Sequence, residues 1–176
     1  MPAGLDRAAR AFLARHRVAR LATVDAGGVP HVVPFCYAAS GANVYFVIDA
    51  KPKTRTGRAL ARMRNIAGNP SVAFVVDDWS EDWSALAFLL VRGSAAVVME
   101  ERERARALRA LRARYPQYRA MPLAGDDHPV VRIVPTHAHL WRATATPRGG
   151  GARAPRLVAT ADRRTPRRPR SRRRRR

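Results

Sequence analysis

Apolar positions along this chain change their period several times, and each change marks an element. Leu5, Ala9, Phe12 and Leu13 recur at helical spacing with Arg7, Arg10 and Arg15 away from them, which predicts an amphipathic first helix. Residues 18–24 alternate loosely and read as a strand. Asp25-Ala26-Gly27-Gly28 is turn chemistry, because glycine takes positive φ without steric cost. A second strand is expected over 30–37. Pro34 inside it implies an edge or a bulge, since proline has no N–H for the ladder. Ser40-Gly41-Ala42-Asn43 is a second turn and 44–48 a third strand.

Residues 54–67 then look helical. Leu60, Met63 and Ala67 are expected on one face, with Arg55, Arg58 and Arg62 on a neighbouring stripe. Gly68-Asn69-Pro70 should end this helix, with the glycine at C′. A β-rich run covers 71–76, and an acidic loop over 77–84 carries Trp79 and Trp83. A long or bent strand follows over 86–99, with Arg92-Gly93 as a bulge. Residues 100–114 form a helix with acids in its first turn and arginines in its last, as the macrodipole favours; Tyr115-Pro116 breaks it. A last strand spans 130–134, with a second arm ending near Trp141. Short turns imply antiparallel pairing, and closure of the meander into a small barrel would remove its edges. Strict βαβ alternation is absent, which argues against a doubly wound sheet.

The pattern stops after Thr146. The chain of 176 residues carries a net charge of +21, and residues 148–176 hold thirteen arginines against one acid, leaving +9 for the rest. Two domains follow: a folded body over 1–146 and an Arg/Pro-rich tail over 147–176, expected to be disordered for want of apolar residues. The tail lacks interleaved aromatics, so any nucleic-acid contact it makes would be unspecific and is not expected to be the function. The single Cys36 excludes an intrachain disulfide and a cysteine-based zinc site. No run approaches the ~18 apolar residues of a membrane span, and no signal peptide is evident, so a cytoplasmic protein without membrane contact is expected.

Candidate chemistry concentrates in one place. Of 34 cations only two are lysines, Lys51 and Lys53, just past the third strand and before the predicted helix. A strand exit leading to a helix N-terminus is a good anion site, and Thr54, Arg55, Arg58 and Arg62 extend it. The alternative is a solvated basic face. Trp79 and Trp83 either cover a planar ligand or fill an interface. His137 and His139 share one strand face, but no third ligand is evident and no metal is expected. Nucleotide-loop, nucleophile-elbow and zinc-protease signatures are absent, so any chemistry would belong to a bound cofactor.

The order of several motifs adds a resemblance. Arg20-Leu21-Ala22-Thr23-Val24-Asp25 followed by Gly28-Val29-Pro30-His31-Val32-Val33-Pro34 resembles the opening hairpin of the pyridoxamine 5′-phosphate oxidase-like split-barrel flavoproteins. Asp49-Ala50-Lys51-Pro52-Lys53 and Arg64-Asn65-Ile66-Ala67-Gly68-Asn69-Pro70-Ser71-Val72 resemble their strand–helix–strand segment. With Glu81-Asp82-Trp83 and Arg114-Tyr115-Pro116-Gln117-Tyr118, the likeness points to the branch of F420-dependent oxidoreductases and covers about residues 5–142. It implies a mainly β fold with inserted helices, a six-stranded antiparallel split β-barrel, and a homodimer with a cofactor groove at its interface. The cofactor would be the deazaflavin F420, alternatively FMN. Lys51, Lys53, Thr54 and Arg58 would hold its phosphate, Pro34 and Phe35 would wall its ring, and Trp83, from the partner subunit, would act as a lid. The implied activity is hydride transfer to an unsaturated or quinone-like small molecule, with no side chain required as catalytic acid or base. An FMN-dependent oxidase or reductase is the alternative, and a non-enzymatic haem or cofactor binder using His137 or His139 is a further one. The arginine tail and the long C-terminal strand depart from the family pattern.

Overall fold

The computed structural model describes residues 4–49, 60–125 and 127–143, all within one compact unit, Met1–Ala145. The expected boundary at 146 therefore lies outside the described residues. Helix α1 (Arg7–Arg15) is capped by the Asp6 carboxylate, which accepts from the Ala9 N–H at 2.7 Å, and it buries Ala9, Phe12 and Leu13. Strands β1 (Val18–Val24) and β2 (Pro30–Cys36) form the first hairpin. Asp25 Oδ1 accepts from the N–H groups of Gly27 and Val29, and Gly28 takes the turn's positive φ of 83°. Strands β3 (Ala38–Ser40) and β4 (Asn43–Val47) form a second hairpin. Helix α2 (Ala61–Gly68), β5 (Ser71–Asp78), β6 (Ala87–Val97), α3 (Glu101–Arg114) and β7 (Val130–Arg142) follow.

All strands join one antiparallel sheet in the order β2-β1-β5-β6-β7-β4-β3. Its two terminal strands, β2 and β3, are neighbours in sequence, separated only by Tyr37. The sheet therefore curls until its edges meet through the chain itself, giving the mainly β split-barrel architecture expected. The strand count is seven, one more than expected, because the run over 30–40 changes partners at Tyr37. That residue leaves the ladder for a different partner: its N–H donates to the Tyr115 hydroxyl at 3.0 Å, and that hydroxyl lies 2.8 Å from its carbonyl. Its own hydroxyl reaches the carbonyls of Leu13 and His16, both at 2.9 Å. Arg114 donates to the carbonyls of Leu13, Ala14 and His16, which satisfies the C-terminal end of α1.

Strands β6 and β7 carry the predicted bulge, but the extra residue is on β7. Arg92 pairs with His137 and Gly93 with Pro135, so Thr136 is left over. Pro135 has no N–H for the ladder, which makes it a natural place for the slip. Because side-chain direction alternates along a strand, one inserted residue reverses the faces beyond it. Val131 and Ile133 point into the core before the bulge; Ala138 and Leu140 do so after it. His137, His139 and Trp141 are thereby turned outward.

Of the helix expected over 54–67, residues 54–59 lie outside the described residues; α2 itself starts after the extended Leu60 and differs from expectation in its buried face and its C-terminal end. Its buried positions are Met63, Asn65 and Ile66, while Ala67 is exposed. Gly68 is the last helical residue, and Asn69 is the extended cap, its N–H bonding Asn65 O at 2.7 Å. Asn65 is buried because its amide donates to Thr23 Oγ1 at 3.1 Å, and burial of a satisfied amide costs little.

The core has two parts, on opposite faces of the sheet. Inside the curl, Leu21, Phe35, Phe46, Phe74, Leu89 and Ile133 pack with α1 and with Met63 and Ile66 of α2. On the outside, α3 covers only the β3-β4 end, where Tyr45, Val47 and Val130 meet Ala107, Leu108 and Leu111. There Glu103 accepts from the Tyr45 hydroxyl at 2.8 Å and from Arg132 Nη1 at 2.9 and 3.1 Å. The Tyr45 bond, then Arg132, holds its carboxyl below the usual range, against the opposing effect of burial. A depressed folded-state value contributes stability above the unfolded value and loses it as pH falls through the folded one. Glu103→Gln should therefore cost about 1 kcal/mol at neutral pH. Denaturation midpoints of variant and wild type should converge once the pH drops below the ordinary glutamate range.

Candidate functional site at the open sheet face and the β4 exit

Since α3 covers one end only, the outer face of β2, β1, β5, β6 and the second half of β7 is left open by the described residues. Strand pairing aligns its side chains in cross-strand rows. One row runs Pro34, Arg20, Val75, Leu90, His139, and the next runs Val32, Ala22, Ala73, Arg92, His137. Small and apolar side chains occupy the middle, while Arg20, Arg92 and the two histidines stand around them. Arg20 is paired with Asp77. Phe88 stacks on Trp141 with ring centroids 5.4 Å apart, and His139 lies 6.1 Å from Phe88. Val32 at 61% and Trp141 at 39% exposure are large apolar side chains left in solvent on outer strands of this face, with half-buried Ala22, Ala73, Val75 and Leu90 on the strands between them.

The other feature is the exit of β4. Asp49 accepts from the Tyr118 hydroxyl at 3.3 Å. Tyr118 lies within the 3₁₀ turn Pro116–Arg119 that follows α3 and is itself buried. Burial, followed by the charges of Cys36 and Asp49 and hydrogen bonds to both, pushes its phenol far above the ordinary range, so it remains a neutral donor. Arg62 of α2 joins this group. Burial lowers the pKa of its guanidinium, while Asp49 and Tyr118 act in the opposite direction. Its Nε is shut off from solvent and has no hydrogen-bond partner among the described residues. A buried guanidinium N–H without an acceptor is costly, and an anionic group at this exit would satisfy it.

The sequence-derived candidates separate on the structure. Lys51, Lys53, Thr54 and Arg58, with Arg55, lie outside the described residues. Arg62 is the member of the basic stripe that is described, and it is at the strand exit. Pro34 is on the open face, but Phe35 is not available there. Alternation along β2 turns it inward, where it is 7% exposed and packs edge-on against Phe46 and Phe74. As a ring wall Phe35 is therefore corrected to a core residue. Trp83 starts the 3₁₀ turn Trp83–Ala85 on the loop between β5 and β6, and is 72% exposed. Asp82 fixes that turn by accepting from the Ser84 N–H at 3.0 Å. Among the described residues no group of three or more His, Cys, Asp or Glu is placed to hold a metal ion, and no helix is long and apolar enough to cross a membrane. The Asp49–Tyr118–Cys36–Arg62 group joins four segments that are distant in sequence, so no local motif announced it. The outward turn of His139 and Trp141 had one available signal, Pro135 directly after the predicted strand 130–134.

Residues 5–142 match the sequence pattern of the family described as Pyridoxamine 5′-phosphate oxidase. No curated protein matches this chain significantly. Among solved structures, the conserved hypothetical protein Rv2991 from Mycobacterium tuberculosis is similar with a TM-score of 0.65 at 20% identity, covering 85% of this chain and 93% of that one. HutZ, the heme storage protein from Vibrio cholerae, gives 0.59 at 18% identity, with 79% and 94% covered. A FAD-binding protein from Mesorhizobium loti gives 0.53 at 23% identity, with 73% and 87% covered. At these identities the likeness is one of fold.

Proposed function

This chain belongs to the pyridoxamine 5′-phosphate oxidase family, and from that premise we propose that it is an oxidoreductase dependent on the deazaflavin F420, working on a quinone-like or otherwise unsaturated small molecule. The observation that carries the reading is the buried, unpartnered Nε of Arg62 at the β4 exit. It is a cationic donor beside Asp49 and Tyr118, nine residues beyond Lys53, the second of the chain's only two lysines. That donor set fits a planar cofactor with an anionic tail. Lys51, Lys53, Thr54 and Arg58, with Arg62, hold the phosphate end. Ala22, Ala73 and Val75, beside Pro34, offer a shallow floor for the ring, because small side chains let a flat group approach the strands closely. A second copy of the chain closes over this face as a homodimer, excluding water from the ring and contributing Trp83 as a lid.

When bound in its reduced form, F420 would supply the chemistry, a hydride to the acceptor, which would take up one proton from solvent. The protein's part is orientation and exclusion of water. If Trp83 covers the ring, Trp83→Ala should weaken cofactor binding about 3- to 10-fold, as expected for one aromatic contact. Quenching of tryptophan fluorescence on titration measures it.

FMN is the second reading. The family description and the FAD-binding neighbour support a flavin, and a phosphate site serves either cofactor. Anaerobic turnover separates the readings. Reduced F420 mixed with the protein and a panel of quinones should regain its oxidised absorbance in a protein-dependent way. Turnover with reduced FMN alone would move the assignment to FMN. A Soret band on haem addition that is lost in His139→Ala, with no turnover on either cofactor, would replace both with haem binding.

A further inference from the structure

Beyond the open face, a cavity of about 540 Å³ opens where β1 and β2 meet the end of α3. Its floor is the cross-strand pair Val18 and Cys36, which continues the outward face that carries Pro34 two residues earlier. Its walls are Tyr115, Tyr118 and Met121. The two tyrosine rings stand 5.4 Å apart at 56°, forming an angled aromatic wall. The lining is mostly apolar, with polar groups at two places only. One is the Cys36 thiol with the Tyr118 hydroxyl, the latter anchored on Asp49. At the other is Arg17, whose guanidinium sits 5.8 Å over the Tyr115 ring and donates to the Arg114 carbonyl.

A volume within the ~300–1,000 Å³ of small-molecule sites, apolar walls and a few fixed polar groups are the features of a ligand pocket. The aromatic wall suits a flat ring, and Arg17 at the edge suits one negative charge. The space is also next to the β4 exit, because Tyr118 belongs to both. We propose that this cavity binds the protein's small-molecule reaction partner, a flat molecule of one or two fused rings with a single carboxylate or equivalent charge. The ligand's part as reaction partner rests on the function proposed above; the pocket and its ligand class do not.

Cys36 is the chain's one cysteine and lines the cavity, so its alkylation reports occupancy. Full-length protein is treated with iodoacetamide, with and without 2-naphthoate or 2-naphthol, and labelling is followed by mass spectrometry. Saturating 2-naphthoate should slow labelling at least fivefold, and it should bind about tenfold more tightly than 2-naphthol. Gln117→Trp, at an exposed lining position, should abolish the protection, and Arg17→Met should remove the preference for naphthoate. An unchanged labelling rate, or protection that persists undiminished in Gln117→Trp, overturns the proposal. Titration with F420 and FMN on the same protein keeps the two ideas apart. Cofactor binding without naphthoate protection rejects the pocket and leaves the cofactor reading. Protection without cofactor binding does the reverse.

Discussion

Gly93→Ala should destabilise the protein by about 3 kcal/mol, lowering its melting temperature by roughly 6–12 °C for a chain of this size. A Cβ at this position would lie 2.4 Å from the Val134 carbonyl oxygen, 3.0 Å from its carbon and 3.1 Å from Ile133 Cγ2. Two of these atoms are backbone of the adjacent strand, so no rotamer change relieves the overlap. The strand pair would have to separate or change register at the bulge. Either response disturbs the inward and outward alternation that Thr136 resets on β7, and with it the placement of His139 and Trp141. Gly68→Ala provides the contrast. It closes α2, has nothing within 4 Å of the added carbon, and should be neutral or stabilising by up to ~1 kcal/mol. Equal melting temperatures for Gly93→Ala and wild type would show that the β6-β7 register does not depend on the missing side chain.

The second large effect concerns the cofactor. On the proposed reading, Lys51→Ala combined with Lys53→Ala removes two charge-assisted contacts to a phosphate. Each such contact contributes about 1.5–3 kcal/mol, so affinity should fall at least about 100-fold. The change should be electrostatic in origin, with the residual affinity less sensitive to salt than that of wild type. A solvated basic face predicts no more than a few-fold loss. Arg62→Met, which removes the buried guanidinium, should weaken binding in the same direction, and calorimetric titration of the three proteins distinguishes these outcomes.

Much of the fold was legible because it is written in short-range patterns. Asp25-Ala26-Gly27-Gly28 marks its hairpin through one carboxylate and one positive φ. The apolar spacing of Ala9, Phe12 and Leu13 marks α1. What escaped depends on partners far along the chain. Tyr37 reads as strand by composition, yet it breaks the run into β2 and β3 because Tyr115, 78 residues away, takes its backbone groups. Phe35 looked as available as Pro34 because adjacent strand residues differ in face, not in sequence signal, and only the position of the core decides between them. Asn65 broke the expected apolar face of α2 because Thr23 offered it a buried partner. The site was legible in the same uneven way. The cationic run after β4 stands out in composition, whereas the Asp49–Tyr118–Cys36–Arg62 group exists only after the chain has folded.

Whether the sheet face and the β4 exit together hold a deazaflavin is tested most directly by equilibrium titration of the purified protein with F420 and FMN, followed by absorbance. F420 should bind saturably in the micromolar range or tighter, at least tenfold more strongly than FMN, and Lys51→Ala with Lys53→Ala should weaken it. F420 absorbance left unchanged by excess protein would contradict this.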